Sequence, residues 1–101
     1  MDKPLKYDEG KPMLHLVPTL WTRMLARVLE YGLEKYYRDS WKNFTIEKAN
    51  EDLIPAAMRH IDAYRDGEYI DQETGCPHLA QAMWNCGVIM WHVENAKSEV
   101  V

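Results

Sequence analysis

One strip of a predicted C-terminal helix carries four polar residues: His78, Gln81, Asn85 and His92. Residues seven positions apart almost eclipse one another on an α-helix, so the strip would run between two apolar faces. Amide and imidazole groups in a buried helix need partners. The strip therefore predicts one of two arrangements: polar side chains hydrogen-bonded to neighbouring helices, or a surface that faces a ligand or metal ion. His78 would lie at the helix N-terminus, where binding of phosphate is favoured.

An acidic stretch lies immediately before His78. Between Asp62 and Glu73 the chain has five carboxylates and one base. Such a cluster repels itself unless a cation joins it, and hard ions such as Mg²⁺ and Mn²⁺ prefer carboxylate oxygen. Solvated acids are common in loops, and His60, at the edge of an apolar face, is either a core histidine or a ligand. Both interpretations of the stretch stay open.

Two helices are predicted ahead of this stretch. Apolar residues recur at spacings of three and four from Trp21 to Tyr36, which predicts a helix over about 18–38. A second apolar stripe begins near Leu53 and predicts a helix that has Pro55 in its first turn. We expect residues 46–51 to form a separate short turn.

The third helix is predicted to follow a loop over residues 67–77 and to run from Pro77 or His78 to about residue 97. It is apolar on two sides, so it must be buried on two sides. Three helices supply little cover, which predicts self-association into a helical bundle, as a dimer or larger. We therefore predict an all-α fold of three main helices, completed by oligomerisation, with residues 1–16 as an N-terminal arm and 17–101 as a single domain.

Composition narrows the classes of function. The chain has 101 residues, enough for one domain, and a net charge of −4 that argues against binding to a nucleic-acid polymer. Neither a signal peptide nor a membrane-spanning run is visible. Two cysteines do not make a disulfide framework and are expected to be reduced, which predicts a cytoplasmic protein. No GxxxxGK[ST], GxGxxG, HExxH or adjacent His–Asp motif is present.

Five segments in order resemble one family: KYDEGKP at 6–12, LVP at 16–18, EYGLEKYYRDSW at 30–41, RH at 59–60 and GEYIDQETGCPHLAQAMWN at 67–85. The family is common in phage genomes and is described as the N-terminal domain of dATP/dGTP diphosphohydrolase. It is similar to the MazG-like, all-α nucleotide pyrophosphohydrolases. The resemblance covers residues 6 to 95.

This resemblance implies Mg²⁺- or Mn²⁺-dependent cleavage of a purine (deoxy)nucleoside triphosphate to its monophosphate and pyrophosphate, in the host cytoplasm if the protein is phage-encoded. MazG-like enzymes usually display an ExxE on one helix and an ExxD on the next. This chain has no ExxE, and its ExxD is Glu68 to Asp71, in the loop. The metal site would then be rebuilt, or the chemistry lost.

The roles of individual residues are a hypothesis built on this resemblance. Metal ligands are expected among Glu68, Asp71, His60 and His78, and catalytic groups are Glu68, Asp71 and His78. Substrate contacts are expected from Lys11, Lys35, Tyr36, Trp41, Arg59 and Asn85, the cations on phosphates and Tyr36 or Trp41 stacked on the base. Glu34 is a possible further carboxylate.

Two other classes of function compete with this enzyme. In a non-catalytic assembly module, the polar strip would set the register of an oligomer and the histidines would be structural. In a nucleotide sensor, the chain would bind a nucleotide without cleaving it.

Overall fold

The computed structural model describes residues 10–99, and within them the fold is all-α, as predicted. The three helices are α1, Thr19–Lys35; α2, Ile46–Arg65; and α3, His78–Glu99. Short 3-10 turns occupy Leu14–Leu16 and Ser40–Asn43. The described residues contain no strand, only an isolated bridge between Ile70 and Pro77.

The first two helices depart from their predicted bounds. Helix α1 ends at Lys35 rather than 38, because Tyr36 adopts an extended backbone. Helix α2 is continuous from Ile46, with its N-terminus capped by the Thr45 side chain, which accepts from the backbone N–H of Lys48 at 3.1 Å. The predicted separate turn over 46–51 and the placement of Pro55 in a first turn are therefore wrong. Pro55 lies inside α2, on an exposed face where water can reach the carbonyl that lacks a donor.

Helix α3 packs against both α2 and α1, whereas no Cα atoms of α1 and α2 lie within 8 Å of each other. The prediction that α3 is buried on two sides is confirmed only in part, because Met83, Cys86 and Met90 on one of its apolar faces are exposed. A small core is formed where Val88 of α3 meets Ala49 and Leu53 of α2, with four partly buried residues packed around it: Trp41, Phe44, Trp84 and Ile89. Helix α1 has no buried residue. Most of the helix-packing stabilisation therefore comes from the α2–α3 pair.

Replacing Leu53 by Ala tests this assignment of the core. Leu53 is 7% exposed, and truncation is expected to lower the free energy of unfolding by about 2–5 kcal/mol, measured by urea denaturation. Ile54 is 46% exposed, so Ile54→Ala is the control, with a loss of about 0.5 kcal/mol or less. Equal losses at the two positions would contradict the placement of the core between α2 and α3.

Two connections position the groups of interest. The turn after α1 contains Asp39 in the left-handed region, at φ 60°, which a short polar side chain tolerates. The loop between α2 and α3 is tied to α1 because the Arg27 guanidinium donates to the Gly75 carbonyl at 2.9 Å. Gly75 has φ 75°, where a side chain would be strained.

Two sequence predictions are also answered within residues 10–99. Both cysteines are free thiols, with Cys76 buried and Cys86 exposed. No helix in this part of the chain has the length and apolar character needed to cross a membrane. The predicted arm over 1–16 falls largely outside the described residues, and residues 10–16 are exposed.

Candidate functional site

The polar strip of α3 is buried along its length. Its four residues are His78, Gln81, Asn85 and His92, and each is at most 9% exposed. Three of them have partners: His92 bonds the Trp41 carbonyl at 3.0 Å, Gln81 donates to Asp71 at 3.1 Å, and His78 contacts His60 and Glu68. The strip therefore contributes to packing at His92, which bonds the main chain, and to a cluster of titratable side chains at His78.

At the N-terminal end of this strip, three elements bring His60, Asp71 and His78 together. His60 comes from α2, Asp71 from the loop and His78 from the first turn of α3. One ligand atom from each lies within 4.8 Å of the others. The Nδ1 atoms of the two histidines are 2.8 Å apart, and His78 Nδ1 is 3.9 Å from Asp71 Oδ2. The loop thus places the carboxylate of Asp71 beside the two imidazole rings.

The geometry and donor types of this cluster fit a divalent ion. Neighbouring ligands at right angles around an ion with bonds of about 2.1 Å are about 3.0 Å apart, close to the spacing of the two Nδ1 atoms. Imidazole suits transition ions, whereas Mg²⁺ prefers an all-oxygen shell. A set of two imidazoles and one carboxylate fits Mn²⁺ better than Mg²⁺.

Glu68 lies on the other side of His78. Its Oε1 is 2.6 Å from His78 Nε2, so the carboxylate accepts a hydrogen bond from the N–H of that nitrogen. The other ring nitrogen, Nδ1, faces His60 and Asp71. Histidine ligands of metals commonly donate their second N–H to a carboxylate in this way. The contact favours an orienting role for Glu68.

Two pKa shifts keep the cluster in the form a cation needs. Burial lowers the pKa of His60, and the neighbouring His78 ring lowers it further, which favours the neutral form of His60. Burial alone would raise the pKa of Asp71. It is held below its usual value because the Glu73 backbone N–H and the Gln81 amide donate to its oxygens, at 2.9 Å and 3.1 Å. Asp71 therefore stays ionised.

A cavity of about 540 Å³ adjoins the cluster: His60 of the cluster lines it, and so does Gln81, the hydrogen-bond partner of Asp71. Tyr31, Tyr36, Tyr37 and Trp41 line it from the end of α1 and the segment that follows, and Trp84 lines it from α3. Asn85 lines the cavity from α3, and Arg38 lies at its wall. This volume is typical of small-molecule sites.

The structure places the predicted substrate residues unequally. Tyr36, Trp41 and Asn85 line the cavity. The cations do not: Lys35 lies over the Tyr31 ring, 5.1 Å from its centroid, and Lys11 and Arg59 are exposed and outside the lining residues. Arg59 is near enough to His60 to lower its pKa. Glu34 is exposed and also lies outside the lining.

Several lining residues were not among the predicted site residues: Tyr31, Tyr37, Gln81 and Trp84. Gln81 is the most informative, because it belongs to the polar strip and its amide is the partner of Asp71. The position of Gln81 in the polar strip is the feature of the sequence that could have identified it as a site residue. The pairing itself depends on the path of the loop, which no helical period reports.

Comparison with known proteins agrees with the resemblance. The family model described as dATP/dGTP diphosphohydrolase, N-terminal, matches residues 1–100. A Salmonella phage PMBT28 protein named dATP/dGTP diphosphohydrolase is 35% identical over 91 residues, which are 90% of this chain and 30% of that protein. The chain thus spans about a third of that relative's length. None of the solved structures matches at a significant level.

Proposed function

The chain belongs to the dATP/dGTP diphosphohydrolase N-terminal family, and from this premise we propose that it is a metal-dependent pyrophosphohydrolase of purine deoxynucleoside triphosphates. The observation that carries the proposal is the cluster of His60, Asp71 and His78 at the edge of a cavity large enough for a nucleotide. Phosphates at the cluster and a base among the aromatic side chains would fill both parts of the site.

His60, Asp71 and His78 are proposed to hold the ion, Mn²⁺ or Mg²⁺, and Glu68 to orient His78 through its outer nitrogen. When bound, the ion offsets phosphate charge and lowers the pKa of water. The sequence-based ligand role of Glu68 stays a prediction. The fit of two imidazoles favours Mn²⁺ for the reasons given above.

In the proposed reaction, the oxygen of a water molecule forms a bond to the α-phosphorus. The bond from that phosphorus to the oxygen bridging to the β-phosphorus breaks, and pyrophosphate leaves with the bonding electrons. The proton that the water loses passes to solvent, while Glu68 remains the acceptor of the His78 N–H. Arg38 at the cavity wall and Arg59 beside His60 are proposed, with Lys35 and Lys11, to neutralise phosphate oxygens.

An assay of purified protein with each of the four deoxynucleoside triphosphates tests the proposal. We expect pyrophosphate release from dATP or dGTP with Mn²⁺, slower release with Mg²⁺, and none in EDTA. Released pyrophosphate is measured by a coupled enzymatic assay and the nucleoside monophosphate by chromatography. Absence of turnover of all four nucleotides by folded protein would overturn the enzyme proposal.

An assembly role is the second candidate, and a specific surface favours it. A groove of about 630 Å³ has almost wholly apolar walls between α1 and α3, including Leu25, Leu29, Met83 and Met90. The radius of gyration is 16.3 Å, against about 13 Å for a compact domain of this length. We propose that a second copy of the chain covers this groove, completing a homo-oligomeric bundle with or without catalysis.

A further inference from the structure

The amide of Asn85 is the unexplained polar group of the cavity. Its side chain is 4% exposed, and its Oδ1 is buried without a hydrogen-bond partner. Among the described residues, Trp41 Nε1 is the other buried side-chain atom in this condition, and Trp41 lines the same cavity. Buried acceptors are nearly always satisfied, so an orphaned one at a cavity wall points to a missing donor.

Among the four residues of the polar strip, Asn85 alone has a buried side-chain atom without a hydrogen-bond partner. Gln81, one turn earlier, has a side-chain partner in Asp71, and His92, two turns later, bonds the Trp41 carbonyl. Asn85 lies between them in the chain and lines the cavity. Asn85 Oδ1 is therefore the acceptor on this strip that a molecule in the cavity could use.

The surroundings define the kind of donor. The cavity wall is aromatic, with Tyr36, Trp41 and Trp84 offering faces for a flat ring. Nucleobases are flat and carry N–H donors at their edges, and amide side chains are the usual readers of such edges. His60, which also lines the cavity, belongs to the cluster proposed for phosphates.

We propose that Asn85 Oδ1 accepts a hydrogen bond from the exocyclic amino group of a purine held in this cavity. The inference rests on the proposed function for the choice of a purine nucleotide. The amino group is common to adenine, at carbon 6, and to guanine, at carbon 2. Asn85 is thereby a specificity-determining residue that lies away from the reacting phosphorus.

The test uses binding alone. In the α,β-methylene triphosphates, a carbon bridge replaces the oxygen that would be broken, so no turnover occurs. Their dissociation constants are measured by calorimetry with Mn²⁺ present. One pair compares the dATP analogue with the analogue of 6-unsubstituted deoxypurine, and a second pair compares those of dGTP and dITP, which differ by the 2-amino group.

We expect the analogue without the amino group to bind about 10-fold or more weakly in one pair, which identifies the base. In Asn85→Leu the two members of that pair should bind alike, whereas Asn85→Asp, which keeps an accepting oxygen, should retain the difference. A general loss of structure would weaken both members equally and leave their ratio intact. The wild-type comparison needs no variant.

Equal binding within both pairs, a preference that persists in Asn85→Leu, or no binding of any analogue would each overturn the inference. Its failure is separable from failure of the hydrolase proposal. Selective binding by a protein that releases no pyrophosphate would contradict only the hydrolase proposal. Turnover of dATP or dGTP with no amino-group preference would remove only the role of Asn85.

Discussion

Replacing Asp71 by Asn is expected to lower the affinity for Mn²⁺ at least about 100-fold and to remove detectable pyrophosphate release. Asp71 supplies the negative charge of a cluster whose other members, His60 and His78, are neutral as ligands. The Glu73 backbone N–H and the Gln81 amide donate to this carboxylate and keep it ionised. An Asn side chain at this position carries no charge and has one accepting oxygen instead of two. Metal affinity is measured by calorimetry, and turnover by the release of pyrophosphate.

Asp66→Asn is the matched control for Asp71→Asn. Asp66 is an exposed carboxylate at the end of α2, outside the cluster, and its replacement changes the net charge by the same amount. We expect Mn²⁺ affinity and turnover to stay within about twofold of wild type, since an exposed charge is screened by solvent and salt. Equal losses in the two variants would mean that general acidity, not the cluster, attracts the ion.

Replacing His78 by Ala is expected to have the second large effect. The variant removes one proposed ligand and leaves Glu68 and His60 without the ring that joins them. Mn²⁺ affinity should fall at least about 100-fold and turnover should disappear. Without metal, the free energy of unfolding should drop by about 1–3 kcal/mol, because polar groups at the half-buried His60 lose a partner.

His92→Ala is the control for His78→Ala, because both histidines lie on the same strip of α3 and are 8% and 6% exposed. His92 bonds a carbonyl rather than the cluster, so its loss should destabilise the fold and spare Mn²⁺ affinity. Molar mass by light scattering separates the two candidate functions. The enzyme proposal expects His78→Ala to keep the wild-type mass. A smaller mass, with a melting temperature that nucleotide does not change, would favour assembly.

Local pattern was sufficient for much of this fold. The spacing of apolar residues predicted three helices and a loop over 67–77, and the seven-residue spacing on α3 predicted a shared polar strip that is indeed buried. These features are readable because a helix has a regular period, so the face of each residue follows from its number. The prediction that Pro55 lies in a first turn was wrong, because local propensity treats proline as a helix breaker. It does not take account of the exposed position that lets α2 continue through Pro55.

The sequence by itself determined which groups are available for chemistry: the imidazoles, the loop acids and the amide of Asn85. Only the tertiary structure decided that Gln81 holds Asp71, that Glu68 contacts the outer nitrogen of His78, and that the cavity wall comes from the end of α1. These pairings depend on how the helices rotate against one another and on the path of an irregular loop. Both are outcomes of packing between residues distant in the chain, which no local period encodes.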